Sequence, residues 1–93
     1  MDTSPSTGTL ETTDTGTTLG ESRKVILYND DSHSMQEVVS QISKATGYAK
    51  PKAEQIMMEA HSKGRAVVIA THLERCEHVA AILEEIGLRT DIE

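Results

Sequence analysis

Apolar and polar positions along residues 23–93 fall into six short stretches of different period. Lys24-Val25-Ile26-Leu27-Tyr28 is a short, β-rich apolar run that reads as a strand. Ser34-Met35-Gln36-Glu37 then has the spacing of a capping box, in which the hydroxyl and the carboxylate each satisfy a free backbone donor, so a helix should start at once. Its apolar stripe is Met35, Val38, Val39 and Ile42, at i, i+3, i+4, i+7, and Gly47 ends it. Pro51 suits the first turn of a second helix whose stripe is Ala53, Ile56, Met57, Ala60 and His61, closed by Gly64. Arg65 to Ala70 is an apolar, β-branched run expected to be a central strand. Thr71-His72-Leu73-Glu74 has the form of a second capping box, opening a helix with Cys76, Val79, Ala80, Leu83 and Ile86 on its stripe until Gly87. Leu88 to Ile92 alternates and reads as a last strand. The predicted order β-α-α-β-α-β is an α+β sandwich, a three-stranded antiparallel sheet packed against three helices.

Composition changes near Glu21. Residues 1–22 hold eight Thr, three Ser and three Gly, with Leu10 and Leu19 as the large apolar residues after Met1. Such a stretch buries too little apolar surface to offset a backbone ordering cost of roughly 1–2 kcal/mol per residue, so a disordered N-terminal extension (1–22) is expected before one domain (23–93). The extension carries four acids and no base, and so contributes −4 of the net charge of −6. An acidic chain with scattered Lys and Arg and only two aromatic residues, both Tyr, is a poor partner for nucleic acid. No apolar run approaches the roughly 20 residues of a membrane span, and the single cysteine, Cys76, fits a reducing compartment, so a cytoplasmic protein is expected.

Catalytic and cofactor signals are weak. The glycines form neither a phosphate-binding loop nor a dinucleotide fingerprint, so no cofactor is expected. His72 and His78 are six apart, off a shared helix face, and no Cys or carboxylate completes a ligand set, so no metal is expected either. No nucleophile elbow supports a Ser-His-Asp site, and the chain is not expected to be an enzyme.

The chemistry concentrates where the first strand stops, at Asn29-Asp30-Asp31. Asn and Asp favour turns for local reasons, but a helix packing back across the sheet could bring His61 beside them. An amide oxygen, carboxylates and an imidazole nitrogen are acceptors suited to a cation with several N–H donors. Met35, Val38 and Met57 would line an apolar hollow with flexible thioether walls next to those acceptors. The combination suits an ammonium group attached to a large apolar side chain, such as a peptide with a free N-terminal Leu or aromatic residue.

Val25-Ile26-Leu27-Tyr28-Asn29-Asp30-Asp31-Ser32-His33-Ser34-Met35-Gln36-Glu37-Val38-Val39, followed by Gln55 to Ala66 with Met57-x-x-x-His61 and Gly64, resembles the ClpS family, the bacterial adaptors of the N-end rule pathway. The resemblance covers about residues 23–93 and is strongest through Ala66. It implies a protein that binds substrates with an N-terminal Leu, Phe, Tyr or Trp and delivers them to the ClpA unfoldase of the ClpAP protease. On that resemblance Asn29, Asp30 and His61 would hold the α-amino group, with Asp31 near the next peptide unit. Met35 would gate the pocket against β-branched side chains, and Val38, Met57 and Leu88 would complete its wall. His33 stands where the family usually has a small hydroxyl residue, and Ser34 where it usually has Pro, both at the pocket mouth. Glu74, Glu77 and His78 are the candidates for contact with the unfoldase, and the family's N-terminal extension implies a role for residues 1–22 in handover. The same element order also resembles the C-terminal domain of the ribosomal stalk protein, an interaction module without an amino-group pocket.

Overall fold

A computed structural model describes residues 21–93, and the expectation of a disordered extension over 1–22 falls almost wholly outside them. The described chain runs β1 (Arg23–Tyr28), α1 (Met35–Thr46), α2 (Lys50–Lys63), β2 (Arg65–Thr71), α3 (Leu73–Glu84) and β3 (Thr90–Ile92). This is the expected α+β arrangement, with an antiparallel sheet in the order β2-β1-β3 and three helices packed over it.

The middle of the sheet is β1, and this corrects the expectation that Arg65–Ala70 would be central. β1 pairs with β2 along one edge and β3 along the other, and Val25, Ile26 and Leu27 are buried in succession, so it is covered on both faces. β2 instead alternates, with Ala66 and Val68 inside and Val67 45% exposed, and among the described residues no strand pairs with its second edge. An apolar, β-branched run does not by itself distinguish an edge strand from a central one. The β1–β2 register slips between Val25 and Ile26, where Val25 faces Ile69 and Ile26 faces Val67. Val68 is the extra residue of that bulge, and its side chain stays in the core.

Local signals explain the helices. At α1 the capping box forms in full: Ser34 Oγ accepts from the Glu37 N–H at 3.1 Å, and Glu37 Oε1 accepts from the Ser34 N–H at 3.0 Å. Gly47 (φ 81°) and Gly64 (φ 91°) end α1 and α2 in the left-handed region, where a Cβ is strained. The second predicted box does not form. Thr71 remains the last residue of β2, and His72 caps α3 through Nδ1, which accepts from the Arg75 N–H at 3.3 Å. The last strand is shorter than expected, because Leu88 turns into the core before β3 begins at Thr90.

Two links place the future site. Pairing of β1 with β2 runs to Tyr28–Arg65, and the Asn29 N–H then donates to the Gly64 carbonyl at 3.0 Å. The strand end is thereby fastened to the end of α2, one turn beyond His61. On the outer face of the sheet the Tyr28 hydroxyl donates to Asp91 Oδ2 at 2.7 Å, and Arg65 and Arg89 lie over its ring. Accepting that bond makes Asp91 the main reason why the Tyr28 phenol holds its proton beyond the ordinary range.

Candidate functional site

A pocket opens between the end of β1, the start of α1, the last turns of α2 and Leu88, two residues before β3. Its polar rim is Asn29, Asp30, His33 and His61, and its apolar wall includes Met35, Val38, Met57 and Leu88. Eight of the nine residues singled out above for ligand contact therefore meet in one place. Asp31 does not line it: its carboxylate accepts from Asn29 Nδ2 at 3.3 Å, which fixes the neighbouring amide and leaves the Asn29 oxygen as the acceptor end.

The elements give each side chain a different degree of freedom. Val38 and Met57 belong to the buried core, as does Leu88, so this wall is rigid. Met35 is the first residue of α1 and 47% exposed, an unbranched thioether free to swing over the opening. His61 lies at the edge of the α2 stripe and not within it, being exposed while Ala60 beside it is buried. The solvent space inside is about 30 Å³, room for about two water molecules at roughly 10–15 Å³ each.

Asp30 is the most heavily engaged group of the rim. Its Oδ1 accepts from the Ser32 N–H at 2.8 Å and from the Ser32 hydroxyl at 2.7 Å, an Asx-turn that realises the local turn preference of the triplet. Its Oδ2 is paired with His33 Nδ1. The Ser32 bonds, above all, together with His33, hold the carboxyl down at a pKa of about 2, so Asp30 is an anion at any ordinary pH. His33 is shifted the opposite way, upward, chiefly by its bond to Asp30. Ser32 Oγ and Asp30 both address His33 Nδ1, the former at 3.3 Å, so the ring cannot relay a proton from the serine to the carboxylate as a hydrolytic triad would.

Leu27, Tyr28 and Ala60 also line the pocket and escaped the sequence reading. Ala60 was the most accessible of these, since it sits three residues after Met57 on one helix face. Glu74, Glu77 and His78 are exposed on α3; Glu74 borders a separate hollow with Arg23, His72 and Leu73. Among the described residues no three His, Cys, Asp or Glu side chains gather as a metal site, and no helix is long and apolar enough to cross a membrane.

A small α+β domain with an apolar hollow bordered by Asn29, Asp30, His33 and His61 has the form of a binding domain, and the comparisons with known proteins narrow the class. Residues 20–90 match the family model for the ATP-dependent Clp protease adaptor protein ClpS. The chain is 37% identical over 71 residues to the ClpS adapter of Synechococcus elongatus, covering 75% of each chain. It is 39% identical over 71 residues to that of Gloeobacter violaceus, covering 75% of this chain and 76% of the relative. Among solved structures, Agrobacterium tumefaciens ClpS2 bound to L-phenylalaninamide superposes with a TM-score of 0.72 at 26% identity, over 77% of this chain and 94% of that one. The chain belongs to the ClpS family of Clp protease adaptors.

Proposed function

We propose that this adaptor recognises proteins bearing a free N-terminal Leu, Phe, Tyr or Trp and delivers them to a ClpA-type AAA+ unfoldase in the bacterial cytoplasm. The observation that carries the reading is the convergence of Asn29, Asp30 and His61 with Met35, Val38, Met57 and Leu88 on one pocket. The acceptors would take the three N–H donors of the α-amino group, and the hollow would take the first side chain. Phenylalaninamide, the ligand of the Agrobacterium relative, has both parts: a free amino group and an apolar ring on the same carbon.

Specificity follows from the walls. Met35 at the mouth would obstruct a β-branched side chain, whose second γ substituent sits close to the backbone, while an unbranched one passes beneath it. Asp31 lies just outside the pocket, where it would meet the second peptide unit. Residues 1–22 and the α3 surface around Glu74, Glu77 and His78 would serve the unfoldase, the first by composition and reach, the second by exposure. A pocketless interaction module of the same fold is disfavoured by the rim and wall described above. The test is degradation of a Leu-initiated reporter by ClpAP with and without this protein: acceleration is expected, and an unchanged rate would overturn the assignment.

A further inference from the structure

Both oxygens of Asp30 have partners in the structure, Ser32 on Oδ1 and His33 on Oδ2. The His33 ring is wedged in place, with side-chain exposure of 18% against 16% for Asp30, and its Cε1 lies 3.9 Å from where a Cβ on Gly87 would stand. Its surroundings hold few other charges. Glu37 comes from α1 and the backbone of Ile86 from the turn after α3, both favouring the charged ring, while His61 of α2, and Tyr28 and Asn29 at the end of β1, line the same pocket.

We propose that His33 is a specificity-determining residue of the amino-group clamp: its ring holds Asp30 in place of the ligand's cation, so a ligand takes that carboxylate only by bringing a positive charge of its own. This rests on the N-degron reading of the pocket. A second lone pair on Oδ2 could accept an ammonium N–H, but two cations would then share one negative charge at close range, each weakening the other's attraction. Loading therefore exchanges one cation for another. The incoming α-ammonium pairs with the Asp30 carboxylate, and a protonated His33 gives its proton to the solvent and becomes neutral, so charge is conserved with one proton released for each ligand bound to a protein whose ring was charged. A neutral, acetylated N-terminus offers no charge in exchange and leaves the His33–Asp30 pair closed.

The consequence is a proton linkage with a definite sign. With the His33 pKa above its ordinary value of roughly 6.5, a pH of 5.5 lies at least one unit below it, so the exchange lowers affinity at least about tenfold there. The penalty shrinks as pH rises and the ring loses its proton.

The experiment titrates a dye-labelled, Phe-initiated peptide with the full-length protein and with His33→Thr between pH 5.5 and 8. His33→Gln serves as a second variant, and circular dichroism confirms that each is folded. The affinity of the variant relative to wild type should rise at least about tenfold from pH 8 to pH 5.5, and proton release on binding, read by calorimetry in buffers of different ionisation enthalpy, should fall in the variant. A ratio independent of pH, even with the variant uniformly weaker, would mean that His33 only braces the loop, and the inference would be wrong while the N-degron reading stood. A wild-type protein that binds the peptide at no pH would overturn both.

Discussion

His61→Ala separates binding from folding more cleanly than any other change at the pocket. His61 is exposed near the end of α2 and lies outside the buried core. Alanine there gains a little helix propensity and loses a favourable cation position at a helix C-terminus, each worth a few tenths of a kcal/mol, so stability should change by no more than about 0.5 kcal/mol. For a folded part of this size that is a shift in melting temperature of roughly 2–4 °C. The ligand would lose one hydrogen bond to a charged group, typically about 1.5–3 kcal/mol. Solvent reaches this position, so the lower end applies, about a tenfold rise in Kd. Fluorescence anisotropy with a Leu-initiated peptide reads the second quantity and thermal unfolding the first. A Kd unchanged within twofold, with the variant folded, would refute the placing of His61 in the amino-group clamp.

Further outcomes follow from the fold. Ser34→Ala removes the cap of α1 and orphans the Glu37 N–H, so urea unfolding should show a loss of roughly 0.5–2 kcal/mol. Gly64→Ala meets no atom within 4 Å, so its cost is that of left-handed backbone alone, about 1–2 kcal/mol by the same measurement. The His33–Asp30 pair links stability to pH with two signs. The depressed Asp30 contributes stability present above its unfolded pKa of about 3.9 and lost as pH falls towards about 2, and the raised His33 contributes stability present below about 6.5 and lost as pH rises through its folded value. Urea midpoints compared across pH should therefore show wild type gaining on His33→Thr most between about pH 4 and 6.5. Deleting residues 1–20 should leave peptide affinity unchanged and abolish reporter degradation, which fluorescence titration and a ClpAP assay can each decide.

The fold was legible where one local signal determined one outcome. Ser34 and Glu37 sit three apart before an apolar stripe, and nothing competes with the cap they form. Thr71 and Glu74 have the same spacing, but Thr71 is held by strand pairing to Arg23, and His72 supplies the capping nitrogen instead. Which strand lies in the middle depends on which strands pair along its two edges, and that is a tertiary fact that Arg65–Ala70 does not encode locally. The pocket was legible because its parts belong to element ends whose directions the caps and glycines fix: Asn29 after β1, Met35 at the start of α1, His61 near Gly64. The engagement of Asp30 was not. An i, i+3 pair with His33 and an Asx-turn to Ser32 are both short-range, yet each depends on rotamers that only the packed loop selects. Asp31 followed the same logic in reverse, its carboxylate turning to the Asn29 amide and away from the hollow.

The central claim is that one pocket reads a charged amino group and a bulky apolar side chain together. Titrating the protein with two peptides that differ only in acetylation of an N-terminal Leu or Phe tests it most directly. The free peptide should bind and the acetylated one should lose at least the tenfold or more that a charged hydrogen bond to this rim supplies. Equal affinities for the two would contradict the account.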